Sequence, residues 1–339
     1  MKNFHASVHI EPDQKVIIVP DPELDLNEFN SLSSLAERTS VQGFYGGSRL
    51  LLATCKAFAN RCSYCGIANK LDKGFRMSYS TTIPRMVGLS GSSAIIIAAF
   101  RVLLKYFNLS LHDLQLTLTE VPQFILSIET KELGIAAGLQ DRVIQTYGGL
   151  VHMDFTVNKV NHHDMSSESE KATSSSLCGQ FTRLDASLLP PMYVVYNTAA
   201  GGESGRVHST VKQRWLEGEE DTVKRMQRIA ELADEAVCCL HNHDAIGLCA
   251  LIDKNFSLRR QIYGDEVVGE KNIRVAELAS AQLNLAAKFT GSGGAFLMMR
   301  RDGTGWFNDV AETAAKQLLS SYGFQLERVE VGESQQWPE

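Results

Sequence analysis

Ile83-Pro84-Arg85-Met86-Val87-Gly88-Leu89-Ser90-Gly91-Ser92-Ser93-Ala94 is the stretch on which the reading of this chain turns. A strand-like run, Phe75 to Ser80, precedes it, and Ala94-Ile95-Ile96-Ile97-Ala98-Ala99-Phe100 with Val102, Leu103 and Leu104 follows. The pattern predicts a strand, a Gly/Ser turn and a buried helix over 92–107. Such a turn presents unpaired backbone N–H groups and the positive end of a helix dipole, a setting that suits phosphate. Glycine lets the backbone approach a ligand closely, and serine hydroxyls can reach phosphate oxygens or a Mg²⁺ ion. Ser92 or Ser93 capping a core helix is the plain structural alternative, and a short glycine motif does not decide between the two.

The totals narrow the field. A chain of 339 residues has room for one large domain or two. Hydrophobic residues at 44% and charged residues at 21% are those of an ordinary globular protein with a sizeable core. A net charge of −6 recommends neither a nucleic acid nor a membrane partner. The longest apolar run falls far short of the ~20 residues of a membrane span, and Met1 to Ser7 lacks the apolar core of a signal peptide. Cysteine usage agrees with a cytosolic protein of free thiols: the number is odd, and Cys238-Cys239 are adjacent. Cys62-Ser63-Tyr64-Cys65 has no second pair to complete a zinc site.

Around the central stretch the chain reads as follows. Ala6 to Ile10 and Lys15 to Val19 look like the two strands of a hairpin broken at Pro12-Asp13. Leu24 to Arg38 is polar, a loop with a short helix, and Arg49 to Phe58 is a helix with one apolar face. A helix from Pro122 through Leu133 ends at Gly134. A helix over 141–147 and a strand over Gly149–Phe155 follow. Residues 156–180 are polar and low in complexity, with Asn161-His162-His163-Asp164 inside them. Beyond the strand Met192–Tyr196, the segments Val207–Leu216, Thr222–Leu240, Asp244–Tyr263 and Ile273–Leu283 have helical spacing. A second glycine turn, Gly291-Ser292-Gly293-Gly294, enters the strand Ala295–Met299. Helix 308–321, strand 324–329 and a loose tail from Gln335 close the chain.

Two glycine turns and two acids, Glu129 and Asp141, need one explanation. Phosphoryl transfer to a hydroxyl requires backbone donors for the phosphates, an oxygen-bound Mg²⁺ and a group that takes the nucleophile's proton. Ser93 with Glu129 would serve the metal and Asp141 the acceptor hydroxyl; singly, each acid is as well read as a solvated or helix-capping residue.

The order of these parts resembles the GHMP kinases. Pro84-x-x-x-Gly88-Leu89 through Ser92-Ser93-Ala94 looks like the second motif of that superfamily, with Ser90-Gly91 spelling it one residue longer, and Gly291 to Gly294 looks like the third. Lys131-Glu132-Leu133-Gly134-Ile135, Gly138-Leu139-Gln140-Asp141-Arg142, Tyr147 to Phe155, Asn255-Phe256, Leu258-Arg259-Arg260 and Lys288 to Ala295 are similar to the glucuronokinase branch of the family. The resemblance implies an α+β, two-lobed fold. A ribosomal protein S5-like N-terminal lobe would run to about residue 186 and carry a Ser-rich insertion at about 161–179. A ferredoxin-like C-terminal lobe would span 187–332, with ATP between the lobes and a tail over 333–339. It implies that Pro84, Gly88, Leu89, Ser90, Gly91, Ser92, Ser93, Ala94, Gly291, Ser292, Gly293 and Gly294 hold ATP, that Ser93 and Glu129 bind Mg²⁺, and that Asp141 is the base. The implied reaction is ATP-dependent phosphorylation of D-glucuronate at its anomeric hydroxyl, the product feeding UDP-glucuronate synthesis. A uronate carboxylate calls for a cation, best an arginine; Arg49, Arg206, Arg214, Arg259 and Arg260 are the candidates. Galacturonate or a neutral sugar as acceptor stays open. So does a non-catalytic nucleotide-binding homologue, because no Arg/Lys…Gly…Gly first motif stands before Asn3.

Overall fold

The computed structural model describes residues 1–21, 25, 46–84, 87–155, 179–197, 211, 213–291, 293–332 and 336–338. The chain divides into two compact units. One comprises Phe4–Thr82, Ser92–Leu184 and Gly332–Glu339; the other comprises Met1–Asn3, Ile83–Gly91 and Asp185–Val331. Leu24–Arg38 apart from Asp25, the histidine pair and most of the Ser-rich stretch lie outside the described residues, as do Arg206 and Ser292.

In the first unit, strands β1 (Ala6–Asp13), β2 (Val16–Ile18) and β3 (Gly74–Thr81) form a sheet in the order β1-β3-β2. The expected hairpin does not form. β1 pairs antiparallel with β3, and β2 pairs parallel with its other edge. Gly74 permits the crossing of the chain around the end of β3, since a Cβ there would sit 2.6 Å from the Asp13 carbonyl oxygen. Along β3, Phe75, Met77 and Tyr79 point into the core while Arg76, Ser78 and Ser80 point away, the alternation of a one-sided sheet.

That core is closed by helices α1 (Ser48–Tyr64) and α2 (Gly91–Tyr106). Leu51, Phe58 and Cys62 of α1 meet Ile96, Phe100 and Leu103 of α2 in one buried cluster. Asp25 accepts the Ser48 N–H at 3.1 Å and the Tyr79 hydroxyl accepts the Gly47 N–H at 3.0 Å, so donors at the α1 entry are satisfied without a capping side chain of its own. Helix α3 (Val121–Ser127) passes into a π-turn over Ile128–Glu132, where a regular helix to Leu133 was expected. Helix α4 (Gln140–Tyr147) leads to β4 (Leu150–Asp154), paired antiparallel with β5 (Gln180–Leu184). Trp337, expected in a loose tail, packs on Phe100 at 6.0 Å between ring centroids and donates its indole N–H to the Thr146 carbonyl at 3.0 Å. A large amphipathic ring gains more from an apolar seat with one polar partner than from water.

The second unit is built on β6 (Tyr193–Asn197), helices α5 (Glu220–His241), α6 (Ala245–Tyr263), α7 (Asp265–Val268) and α8 (Glu270–Leu283), then β7 (Leu285–Phe289), β8 (Ala295–Arg300), α9 (Asp309–Ser320) and β9 (Phe324–Arg328). Its sheet has the order β7-β8-β6-β9 with antiparallel neighbours. Val275 and Ala279 of α8 with Ala315 and Leu319 of α9 bury Tyr193, Val195, Phe289, Phe296 and Phe324. Strand β7, Leu-Ala-Ala-Lys-Phe, carries weak strand propensity and was not expected; its place is set by pairing with β8. Among the described residues six cysteines are free, no helix is long and apolar enough to cross a membrane, and no group of acids, histidines and cysteines is arranged as a metal cluster.

Candidate active site

The Gly/Ser loop and the second glycine turn lie against each other within the second unit. Gly88 adopts φ 76°, and a Cβ there would stand 2.7 Å from the Gly293 carbonyl oxygen. Gly294, at φ 86°, leaves room for Val87, whose carbonyl oxygen would be 3.1 Å from a Cβ. The Thr290 hydroxyl donates to the Gly88 carbonyl at 3.2 Å. Glycine at these positions is therefore a matter of backbone touching backbone. Ser90 holds a left-handed φ of 61°, unusual for a residue with a side chain, immediately before α2 begins at Gly91. No acidic residue stands in the first turn of α2, so its positive end is uncompensated by a carboxylate from that turn. Pro84 and Leu89 are partly buried in the same loop.

The acids belong to the first unit. Glu129 sits in the π-turn, fully buried, and Arg142 enters from the first turn of α4. The guanidinium donates Nε to Glu129 Oε2 at 2.7 Å and Nη2 to the same oxygen. Its Nη1 donates to the Gly138 carbonyl at 2.8 Å and to Asp141 Oδ2 at 3.3 Å. One buried arginine thus spans both acids. The other oxygen, Glu129 Oε1, accepts the Ser92 hydroxyl at 2.7 Å. Ser93, beside it, is fully buried, whereas the Asp141 side chain is 46% exposed. A buried carboxylate and an open one on the same arginine are suited to different work. The first is fixed and the second can meet a ligand. The π-turn displaces Glu129 from a regular helical position, a device frequent at functional sites.

The arginines considered for a carboxylate separate by partner. Arg214 is occupied by Glu219, at 2.9 Å from Nη2 to Oε1, and by the Ile262 carbonyl at 2.7 Å. Arg260 is held by Asp265 at 2.7 Å. Arg49 lies in the first turn of α1. Arg259 donates Nη1 to the Gly291 carbonyl at 2.6 Å, which puts it on the glycine turn. The motifs do not mark Lys288 as a cation. It is the one charged residue in an otherwise apolar strand, and that pattern is the signal that could have found it.

The family model described as the GHMP kinases N terminal domain matches residues 49–149. Glucuronokinase 1 of Arabidopsis thaliana is 42% identical over 335 residues, 98% of this chain and 85% of that protein. Probable glucuronokinase 2 of the same plant is 43% identical over 334 residues, 97% of this chain and 83% of that protein. Among solved structures, Lactococcus lactis galactokinase complexed with galactose superposes with a TM-score of 0.61 at 15% identity, covering 98% of this chain and 87% of that one, a likeness of fold. With identity sustained over nearly its whole length to two glucuronokinases, the chain belongs to the GHMP kinase family and to its glucuronokinase branch.

Proposed function

We propose that this protein transfers the γ-phosphoryl group of ATP to the anomeric hydroxyl of D-glucuronate, giving glucuronate 1-phosphate and ADP in the cytoplasm. The likeness to two glucuronokinases supports the acceptor. The observation that carries the chemistry is the single guanidinium of Arg142, which holds a buried Glu129 and an open Asp141 side by side.

The donor set fits a hard cation. Glu129 Oε2 is filled by two N–H groups of Arg142, while Oε1 receives one hydroxyl and keeps acceptor capacity. A carboxylate oxygen and a serine hydroxyl are enough for Mg²⁺, which takes its remaining ligands from phosphate and water. Ser93 and Glu129 would hold the ion, with Ser92 fixing the carboxylate. When bound, ATP supplies the phosphoryl group and Mg²⁺ neutralises charge on its oxygens. The backbone of Gly88, Gly91, Gly291, Gly293 and Gly294, which share one unit, would cradle the phosphates. Asp141 would accept the hydroxyl proton as the oxygen bonds to phosphorus and the bridging P–O bond to ADP breaks. Arg142 keeps Asp141 in position. The compact-unit boundary at Leu184–Asp185 supports a lobe division near residue 186, with the loop 83–91 belonging to the later lobe's unit.

Labelled phosphate transfer from ATP to D-glucuronate, with galacturonate and galactose as controls, tests the reading. Asp141→Asn should lower turnover by about 10²–10⁴-fold while ATP affinity stays within about twofold. Substantial transfer by that variant would remove the role of Asp141. ATP binding without transfer to any sugar would remove the kinase reading itself.

A further inference from the structure

Lys288 lies in β7 between Ala287 and Phe289, both buried. Its ammonium donates to the Phe289 carbonyl at 3.1 Å, and Arg259, donating to Gly291, is close enough to act on it electrostatically. Burial and that guanidinium lower the lysine pKa to about 7. Among the described residues, neither cation forms an ion pair with a carboxylate. Other arginines of the same unit do: Arg214 with Glu219, Arg260 with Asp265, Arg301 with Asp253. A desolvated lysine with a guanidinium near it is costly unless an anion joins them.

A second observation points the same way. Asn272 donates Nδ2 to the Val268 carbonyl at 2.8 Å, and that nitrogen is 3.9 Å from the place a Gly293 Cβ would occupy. Its Oδ1 is buried without a hydrogen-bond partner. Asn255, one helical turn before Arg259 and on the same side of α6, has a buried Oδ1 in the same condition. Buried acceptors without donors are rare in a folded protein. A ligand that brings an anionic group to the cations and O–H donors to the amide oxygens would satisfy both sets.

We propose that Lys288 and Arg259, with Asn272 beside the glycine turn, bind the carboxylate and an adjacent hydroxyl of an acid sugar. A nucleotide phosphate would meet the two cations but, offering no donor, would leave the amide oxygens unpaired. The inference rests on the sugar-kinase reading above and adds to it the groups that select an acid over a neutral sugar.

The test uses the full chain with calorimetric titration of D-glucuronate, D-glucose and, separately, Mg-ATP. Lys288→Met, close in volume, and Arg259→Gln should each weaken D-glucuronate by about 10–100-fold, the scale of a lost charge-assisted hydrogen bond. Preference over D-glucose should fall by a similar factor, and Lys288→Arg should keep most of the affinity. Mg-ATP affinity falling while D-glucuronate affinity holds would overturn the proposal in favour of a phosphate site. Unchanged affinity for both ligands would overturn it as well, and a lowered melting temperature with that result would make the cations structural. If wild type phosphorylates D-glucuronate and these variants bind it normally, the inference alone fails; if wild type neither binds nor phosphorylates it, the sugar-kinase reading fails with it.

Discussion

Arg142 carries two obligations on one guanidinium. It neutralises a carboxylate that has no exposure to water, and it steadies a second that has a good deal. Removing one partner of a buried pair leaves an uncompensated charge, which costs more than the pair contributes. Arg142→Met should therefore lower folding stability by about 3–5 kcal/mol, measured by denaturant unfolding. The double variant Glu129→Gln with Arg142→Met should recover much of that loss, because no charge is then stranded. A single variant as stable as wild type would show that the pair is not desolvated. This arrangement was only half legible in the sequence. Adjacency brought Arg142 to Asp141, but adjacent helical residues point in different directions, and nothing in the spacing between Glu129 and Arg142 names them as partners. The π-turn that aims Glu129 is equally silent, since its local sequence is that of an ordinary helix.

At the scale of elements, the loop before α2 and the turn before β8 behave as one backbone clasp. Gly88 tests the clasp, with Gly134 as the control. Both have positive φ, 76° and 65°, but only at Gly88 does a Cβ meet backbone; at Gly134 there is nothing within 4 Å. Gly134→Ala should cost about 1 kcal/mol of left-handed strain. Gly88→Ala should cost about 2–3 kcal/mol and also weaken ATP about tenfold, because the clasp must open. Equal stability losses, with ATP binding unaltered, would remove the clasp as a functional element. Glycines that permit such contacts were visible as a motif. Their partners were not, since Gly88 and Gly293 are separated by most of the chain.

At the scale of the whole molecule, Trp337 helps complete the first unit. Trp337 seats on Phe100, lies under the Arg101 guanidinium at 4.1 Å and bonds to Thr146 near the end of α4. Trp337→Ala should destabilise by about 2–4 kcal/mol. It should also reduce turnover, because α4 carries Asp141 and Arg142. Thermal unfolding together with the transfer assay checks both, and a variant with the wild-type melting temperature would return these residues to the role of a passive tail.

Strong periodicity made the helices α1, α2, α5, α6 and α9 and the strands β3, β6, β8 and β9 legible, because a buried face writes its repeat into consecutive residues. Motif order groups the two glycine turns, the serines and both acids as one proposed set. Tertiary structure alone decided the insertion of β3 between β1 and β2, the strand made from Leu285–Phe289, the bridge through Arg142, the hold of Arg259 on the Gly291 carbonyl and the docking of Trp337. The division has one cause. Residues close in sequence reveal the periodicity and turns of a single element, whereas the choice of partner between distant residues depends on which arrangement buries apolar surface while leaving each polar group satisfied.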